Sequence, residues 1–185
     1  MNTKEKEKNS CTLLFSFDAE TNGLLGQAFA LGAVLYVNEV EVKSFCARCP
    51  IQGTVDPWVE ANVLPQMTDI AETHSTYKEM LQAFAEFFLE NKADATIIFH
   101  MGIPVEARVI LDMHDHGFIG PWDGAYPWLD VAGCLDQAGY DPTSVDTYNK
   151  NAGITVPQRE PGGAHNPLYD SRAAALCYMD LMKQR

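Results

Sequence analysis

Asp18 and Glu20 stand two positions apart in Leu13-Leu14-Phe15-Ser16-Phe17-Asp18-Ala19-Glu20, and Thr21-Asn22-Gly23-Leu24 follows. An extended strand alternates its side chains between faces, so both carboxylates point the same way. They stand roughly 6.5 Å apart along the strand. Two carboxylates so placed repel unless a cation lies between them. The alternative is a strand that ends in two solvated acids at a turn.

Two further segments bear on that choice. His165-Asn166-Pro167-Leu168-Tyr169-Asp170 reads as the start of the last helix. Asn is a good N-cap and Pro suits the first helical position, so Asp170 falls in the first turn. The positive end of a helix favours an ionised carboxylate there. The Pro- and Gly-rich stretch over residues 156–163 argues against regular structure before His165. Taken alone, such a histidine is an ordinary cap or surface residue. The other segment is His100-Met101-Gly102-Ile103-Pro104-Val105-Glu106-Ala107-Arg108, which follows the apolar run Thr96-Ile97-Ile98-Phe99. That run reads as a short buried strand delivering the chain to a sheet edge. Glu106 then sits in the first turn of a helix, where an acid needs no further explanation.

Together these segments resemble the DEDDh family of 3′–5′ exonucleases, over residues 13–181. Asp18-Ala19-Glu20-Thr21-Asn22-Gly23-Leu24 is similar to that family's D-x-E-T-x-G-L. His165 with Asp170 five residues on is similar to its H-x-x-x-x-D. The middle motif departs from the pattern: Glu106 occupies the position of an Asp. Met101 stands where the oligoribonuclease-type branch has Asn, and the spacing from Met101 to Glu106 is that branch's. A Glu reaches one methylene further and can still ligate metal.

The resemblance implies an α/β, ribonuclease H-like fold, a mixed β-sheet flanked by helices. It implies two Mg²⁺ or Mn²⁺ ions held by Asp18, Glu20, Glu106 and Asp170, with His165 as the proton acceptor. Thr21 would contact the terminal 3′ hydroxyl and Leu24 would pack on the terminal base. The partner would be single-stranded or short nucleic acid with a free 3′ end, cut to nucleoside 5′-monophosphates. RNA is slightly favoured over DNA, although reading a 2′-hydroxyl depends on close geometry that no motif states. A homodimer is compatible with it. The chemistry is coherent: two-metal hydrolysis holds its cations roughly 3.5–4 Å apart. Hard divalent ions prefer carboxylate oxygens, and a histidine near its ordinary pKa can take a proton from water. A nuclease-fold protein that binds nucleic acid or nucleotides without cutting is the rival reading, motivated by Glu106 and by the acidic charge.

Other side chains are weaker candidates. Arg159 and Arg172 could each meet a substrate phosphate, and His100 ends a strand close to the proposed site. His114 and His116, two apart on a helix, diverge and make a poor metal pair. Cys46 and Cys49 have the spacing of half a zinc site, but no second close pair completes it.

Residues of these kinds need elements to carry them. Strands are expected at Thr12–Asp18, Ala28–Val37, Val40–Ala47, Thr96–Phe99 and Trp128–Val131, with a hairpin at Asn38-Glu39. A short helix is expected around Pro57–Leu64. Thr76 and Glu79 form a capping box, and Tyr77, Met80, Leu81, Phe84, Phe87 and Phe88 then repeat at helical spacing. Helices are also expected from Pro104 to about His116, over Ser144–Asn151, and after Asn166.

The 185 residues, 46% of them hydrophobic, suit one domain over residues 11–185 with a disordered tail over residues 1–10. The apolar stretch Cys11–Phe17 is too short, and too acidic at its far end, for a signal peptide or membrane span. Five scattered cysteines argue against a disulfide framework. The expected setting is soluble and cytoplasmic, with no membrane partner. The formal charge of −12 argues against a long duplex held by phosphate contacts. A pair of divalent cations would reduce it to −8 where it matters.

Overall fold

The computed structural model describes residues 12–157 and 165–184. The expected tail over residues 1–10, and Arg159 with most of its loop, lie outside them. Among the described residues five strands form one mixed sheet: β1 (Leu13–Thr21), β2 (Ala28–Val37), β3 (Val40–Arg48), β4 (Thr96–Phe99) and β5 (Trp128–Asp130), in the order β3-β2-β1-β4-β5. The first three are antiparallel neighbours, whereas β4 runs parallel to β1 and β5 parallel to β4. Asn38 and Glu39 close the β2–β3 hairpin with φ of 48° and 67°. Left-handed values at both central residues match the twist of the flanking strands.

Among the described residues six α-helices cover the sheet: α1 (Pro57–Asn62), α2 (Tyr77–Asn91), α3 (Val105–Asp115), α4 (Val131–Gln137), α5 (Val145–Ala152) and α6 (Pro167–Lys183). The alternation along β1 assigns its two faces. Phe15 and Phe17 pack with Phe84, Phe88 and Met113 from α2 and α3. Leu14 packs with Ala173, Ala174 and Cys177 of α6 and with Val131 and Tyr148. Asp18 and Glu20 continue the even-numbered series and so face the α6 side.

Several expectations shift. The first strand runs to Thr21 rather than ending at Asp18, because pairing with β2 persists after β4 has left; β4 pairs only as far as Ser16↔Ile98. The helix expected over Pro57–Leu64 stops at Asn62, and a 3-10 turn follows at Leu64–Met67. Pro65 lacks the N–H that a continued helix would use. Helix α4 has no counterpart among the expected elements. Only Val131 and Leu135 of its seven residues are buried, too few for a periodic signal, and Asp130 caps it by accepting from the Ala132 N–H. The Thr76 cap forms as expected, although Glu79 reaches back to the N–H of Ser75 rather than of Thr76.

One close approach seats α6. Gly32 is the cross-strand partner of Asp18. A Cβ built at Gly32 would lie 2.2 Å from the Pro167 carbonyl carbon and 2.3 Å from the Leu168 nitrogen. Glycine alone lets the first turn of α6 lie on β2 at that point. The Ser171 hydroxyl then sits 2.9 Å from the Gly32 carbonyl and 2.5 Å from the Pro167 carbonyl, sharing one proton between them. Three successive alanines, Ala173–Ala175, are buried beyond that contact.

Gly32→Ala must therefore displace α6 or β2. We expect a loss of about 1–3 kcal/mol, the usual cost of overpacking, read from denaturant titration. Gly133→Ala is the control: its Cβ would meet nothing, and in a helix it should be neutral or stabilising by up to about 1 kcal/mol. Equal effects of the two substitutions would contradict the assigned contact.

Candidate active site

Asp18 and Glu20 come from β1, Asp170 from the first turn of α6, and Glu106 from the first turn of α3. Carboxylate oxygens of Asp18, Glu20 and Asp170 all lie within 4.8 Å of one another. The seating of α6 over Gly32 explains the meeting, since Gly32 is paired with Asp18. Glu106 lies beside this triad. It is 3% exposed, and its Oε1 accepts a hydrogen bond of 3.0 Å from the backbone N–H of Ala19. That N–H belongs to the stretch of β1 beyond the end of β4, so the Glu106 carboxylate takes up a donor that strand pairing leaves free.

His165 stands at the rim, with φ of +69° and its Nδ1 3.9 Å from Glu20 Oε1. Its imidazole packs at right angles to the Trp58 indole, centroids 5.4 Å apart. Asn166 caps α6 as expected, accepting from the N–H groups of Leu168 and Tyr169.

These groups open on a cleft of about 360 Å³, also lined by His100, Thr143, Ser144 and Asp146. Five carboxylates and no lysine or arginine line it among the described residues. Burial raises all four acids of the motifs. Asp18 is pushed up to about 7. Glu20 rises to about 8, through burial and then the charge of Asp18. Glu106 is raised by burial and by Asp18, partly offset by the Ala19 N–H. Asp170 is raised by burial and by Asp18, Glu20 and Asp146, partly offset by the His165 backbone N–H. Burial lowers His165, opposed by Asp146, so its neutral, proton-accepting form is favoured.

A hard divalent cation fits this donor set. Clustered oxygen donors, poor in countercharge and costly to ionise together, are what Mg²⁺ and Mn²⁺ prefer. Thr21 and Leu24 line a separate, more apolar groove of about 440 Å³, which shares Val105 with the acidic cleft. Leu24 is 69% exposed there.

Other candidates have different work. Arg172 binds Glu41 with two hydrogen bonds, of 2.9 Å and 2.7 Å, and is not directed to a substrate phosphate. His100 Nε2 lies 2.8 Å from the Pro142 carbonyl, pinning the α4–α5 connection at the edge of the cleft. His116 stacks on Phe118 and His114 lies beside Asp115. Cys49 is buried, its thiol pushed up to about 11.

Sequence reading missed Asp146, Trp58 and Asp130. Asp146, in the first turn of α5, accepts from the Tyr169 hydroxyl at 2.9 Å. The Ser144 cap followed by an acid was its available signal. Asp130 accepts from the N–H groups of Met101 and Gly102 as well as Ala132, and so shapes the turn leading to Glu106. Nothing in the sequence marks Trp58.

No family model and no curated protein matches the chain. Solved structures do. One, described as exonuclease X in complex with 5′ overhanging duplex DNA, has a TM-score of 0.64 at 16% identity, covering 92% of each chain. Another is a 3′-exonuclease recognising the 3′ end of a histone mRNA stem-loop. It scores 0.68 at 10% identity, over 95% of this chain and 65% of that one. A third is Pop2p of S. pombe in a Mg²⁺- and Mn²⁺-bound form, at 0.68 and 10% identity, over 92% of this chain and 83% of that one. At such identity the likeness establishes the fold. It is the expected ribonuclease H-like α/β fold, a mixed sheet flanked by helices. The three do not single out the oligoribonuclease-type branch.

The raised acids set a direction for stability. Their unfolded values lie near 4, while those of Asp18 and Glu20 in the fold are about 7 and about 8. Between about pH 4 and pH 8 the metal-free fold holds more protons than the unfolded chain, so its stability falls as pH rises. In EDTA, Tm should fall from pH 5 to pH 8, and less steeply in Asp18→Asn. Mn²⁺ should raise Tm more at pH 8 than at pH 5. A metal-free Tm that climbs with pH faster in the wild type than in Asp18→Asn would contradict the assignment.

Proposed function

We propose that this chain is a metal-dependent 3′–5′ exonuclease acting on single-stranded or short nucleic acid and releasing nucleoside 5′-monophosphates. The observation that carries this reading is the convergence of Asp18, Glu20 and Asp170 within 4.8 Å, with His165 at the rim, on a fold shared with solved exonucleases. Asp18, Glu20, Asp170 and Glu106 would hold two Mg²⁺ or Mn²⁺ ions. Bound there, such cations supply Lewis acidity to the phosphodiester and to the attacking water. His165, kept neutral by burial, takes the proton of that water. Thr21 and Leu24 hold the terminal nucleotide in the adjoining groove. We favour RNA over DNA on the Met101-to-Glu106 spacing alone. A net charge of −12 suits a substrate that needs few phosphate contacts.

Cleavage of matched RNA and DNA oligomers, labelled at the 5′ end, with Mg²⁺ or Mn²⁺, tests the reading. Asp170→Asn should abolish product while the circular dichroism spectrum is retained. His165→Ala should slow cleavage by about 10²–10⁴-fold and leave calorimetric Mn²⁺ binding intact. Wild-type turnover in Asp170→Asn would refute the metal assignment. Lost Mn²⁺ affinity in His165→Ala would make the histidine a ligand instead.

The hydrogen bond from Ala19 to Glu106 favours a second reading, a binding protein without catalysis. Mn²⁺-dependent cleavage by the wild type separates the two, and Glu106→Gln then tests the metal role of Glu106, because a glutamine oxygen still accepts that bond while the charge is gone. As a metal ligand, Glu106 should lose nearly all activity as Gln and keep a measurable fraction as Asp. Mn²⁺ should rescue Glu106→Asp better than Mg²⁺, being less strict about geometry. Undiminished activity in Glu106→Gln would leave Glu106 with only a structural part.

A further inference from the structure

Trp58 belongs to none of the three motifs and is 56% exposed. Isolated exposed hydrophobic residues are ordinary. What distinguishes this one is its neighbour: the indole and the His165 imidazole stand at 88°, centroids 5.4 Å apart. His165 has a left-handed backbone, φ +69°. Among the described residues no side-chain hydrogen bond anchors its ring, since Glu20 Oε1 at 3.9 Å is too far for one. A general base ordinarily has a third group to orient it.

The helix that carries the indole is itself held from the turn after the acidic strand. The Asn22 side chain accepts from the Asp56 N–H at 2.8 Å and donates to the Thr54 carbonyl at 2.9 Å. Asp56 in turn caps α1, accepting from the backbone N–H of Trp58 at 2.9 Å. The turn just after Glu20 thus carries the helix that sets Trp58 against His165.

We propose that Trp58 is the positioning residue for His165, confining the imidazole so that one ring nitrogen faces the carboxylates. The proposal rests on His165 being the proton acceptor. Kinetics on a labelled oligonucleotide with Mn²⁺, together with the His165 ring-proton resonances of the metal-free protein, test it. Trp58→Ala should lower kcat by about 10–10²-fold, the scale of a small misplacement, with KM within about threefold. Trp58→Phe should keep most of the rate. In the His165→Ala background, Trp58→Ala should add no further loss. The ring-current shift on His165 should vanish in Trp58→Ala and persist, reduced, in Trp58→Phe. Unchanged kcat, a rise in KM alone, additive losses in the double variant, or unshifted wild-type resonances would each overturn the proposal. Wild-type turnover in the single His165→Ala variant would instead remove the reading of the base itself, an outcome distinct from the others.

Discussion

The first turn of α6 rests directly on the backbone of β2, and it can do so only because residue 32 has no side chain. This contact sets the distance between the two outer motifs. Gly32 is paired with Asp18 across the ladder, so whatever α6 places above it is delivered to the acidic end of β1. Asp170 is delivered there. Ser171, one residue on, joins the carbonyls of Gly32 and Pro167 and fixes the helix in that seat. The buried alanines beyond keep the helix close along its length. Bulk at position 32 would separate Asp170 from Asp18 before it disturbed either residue's own element.

The same seating forces carboxylates together in a place that disfavours their charge. Burial raises Asp18, Glu20, Glu106 and Asp170 alike, and the charge of Asp18 raises the other three further. The fold offsets this with isolated backbone donors, Ala19 N–H for Glu106 and His165 N–H for Asp170. No cationic side chain lines the cleft among the described residues; the nearby Arg172 is committed to Glu41. Gathering buried acids in this way is costly, and a bound cation would remove that cost. Low stability without metal and the proposed affinity for metal would then be opposite faces of one arrangement.

Much of the architecture was legible because its signals are local. Alternation marked β1 and its face, the tight Asn38-Glu39 connection between two apolar runs marked the hairpin, and the Thr76 and Asn166 caps marked the starts of α2 and α6. What failed lacked such a local signal. Helix α4 buries too few side chains to show a period. The extra length of β1 depends on pairing with β2 after β4 departs. Gly32 could have been noticed, since a glycine inside an apolar strand often marks a close approach. Arg172 could not have been set aside, because its partner Glu41 lies on β3, 131 residues earlier.

Sequence by itself determined which side chains could do chemistry and that Asp18 and Glu20 share a face, because a strand's period of two is a property of the backbone. It also placed Asp170 and Glu106 in first helical turns, where caps and prolines act over a few residues. Tertiary structure alone decided that Asp18, Glu20 and Asp170 meet within 4.8 Å while Glu106 turns to the Ala19 N–H. It alone brought Trp58 to His165. These depend on how helices seat on the sheet, and that is set by packing between residues far apart in the chain, where no local period or cap carries information.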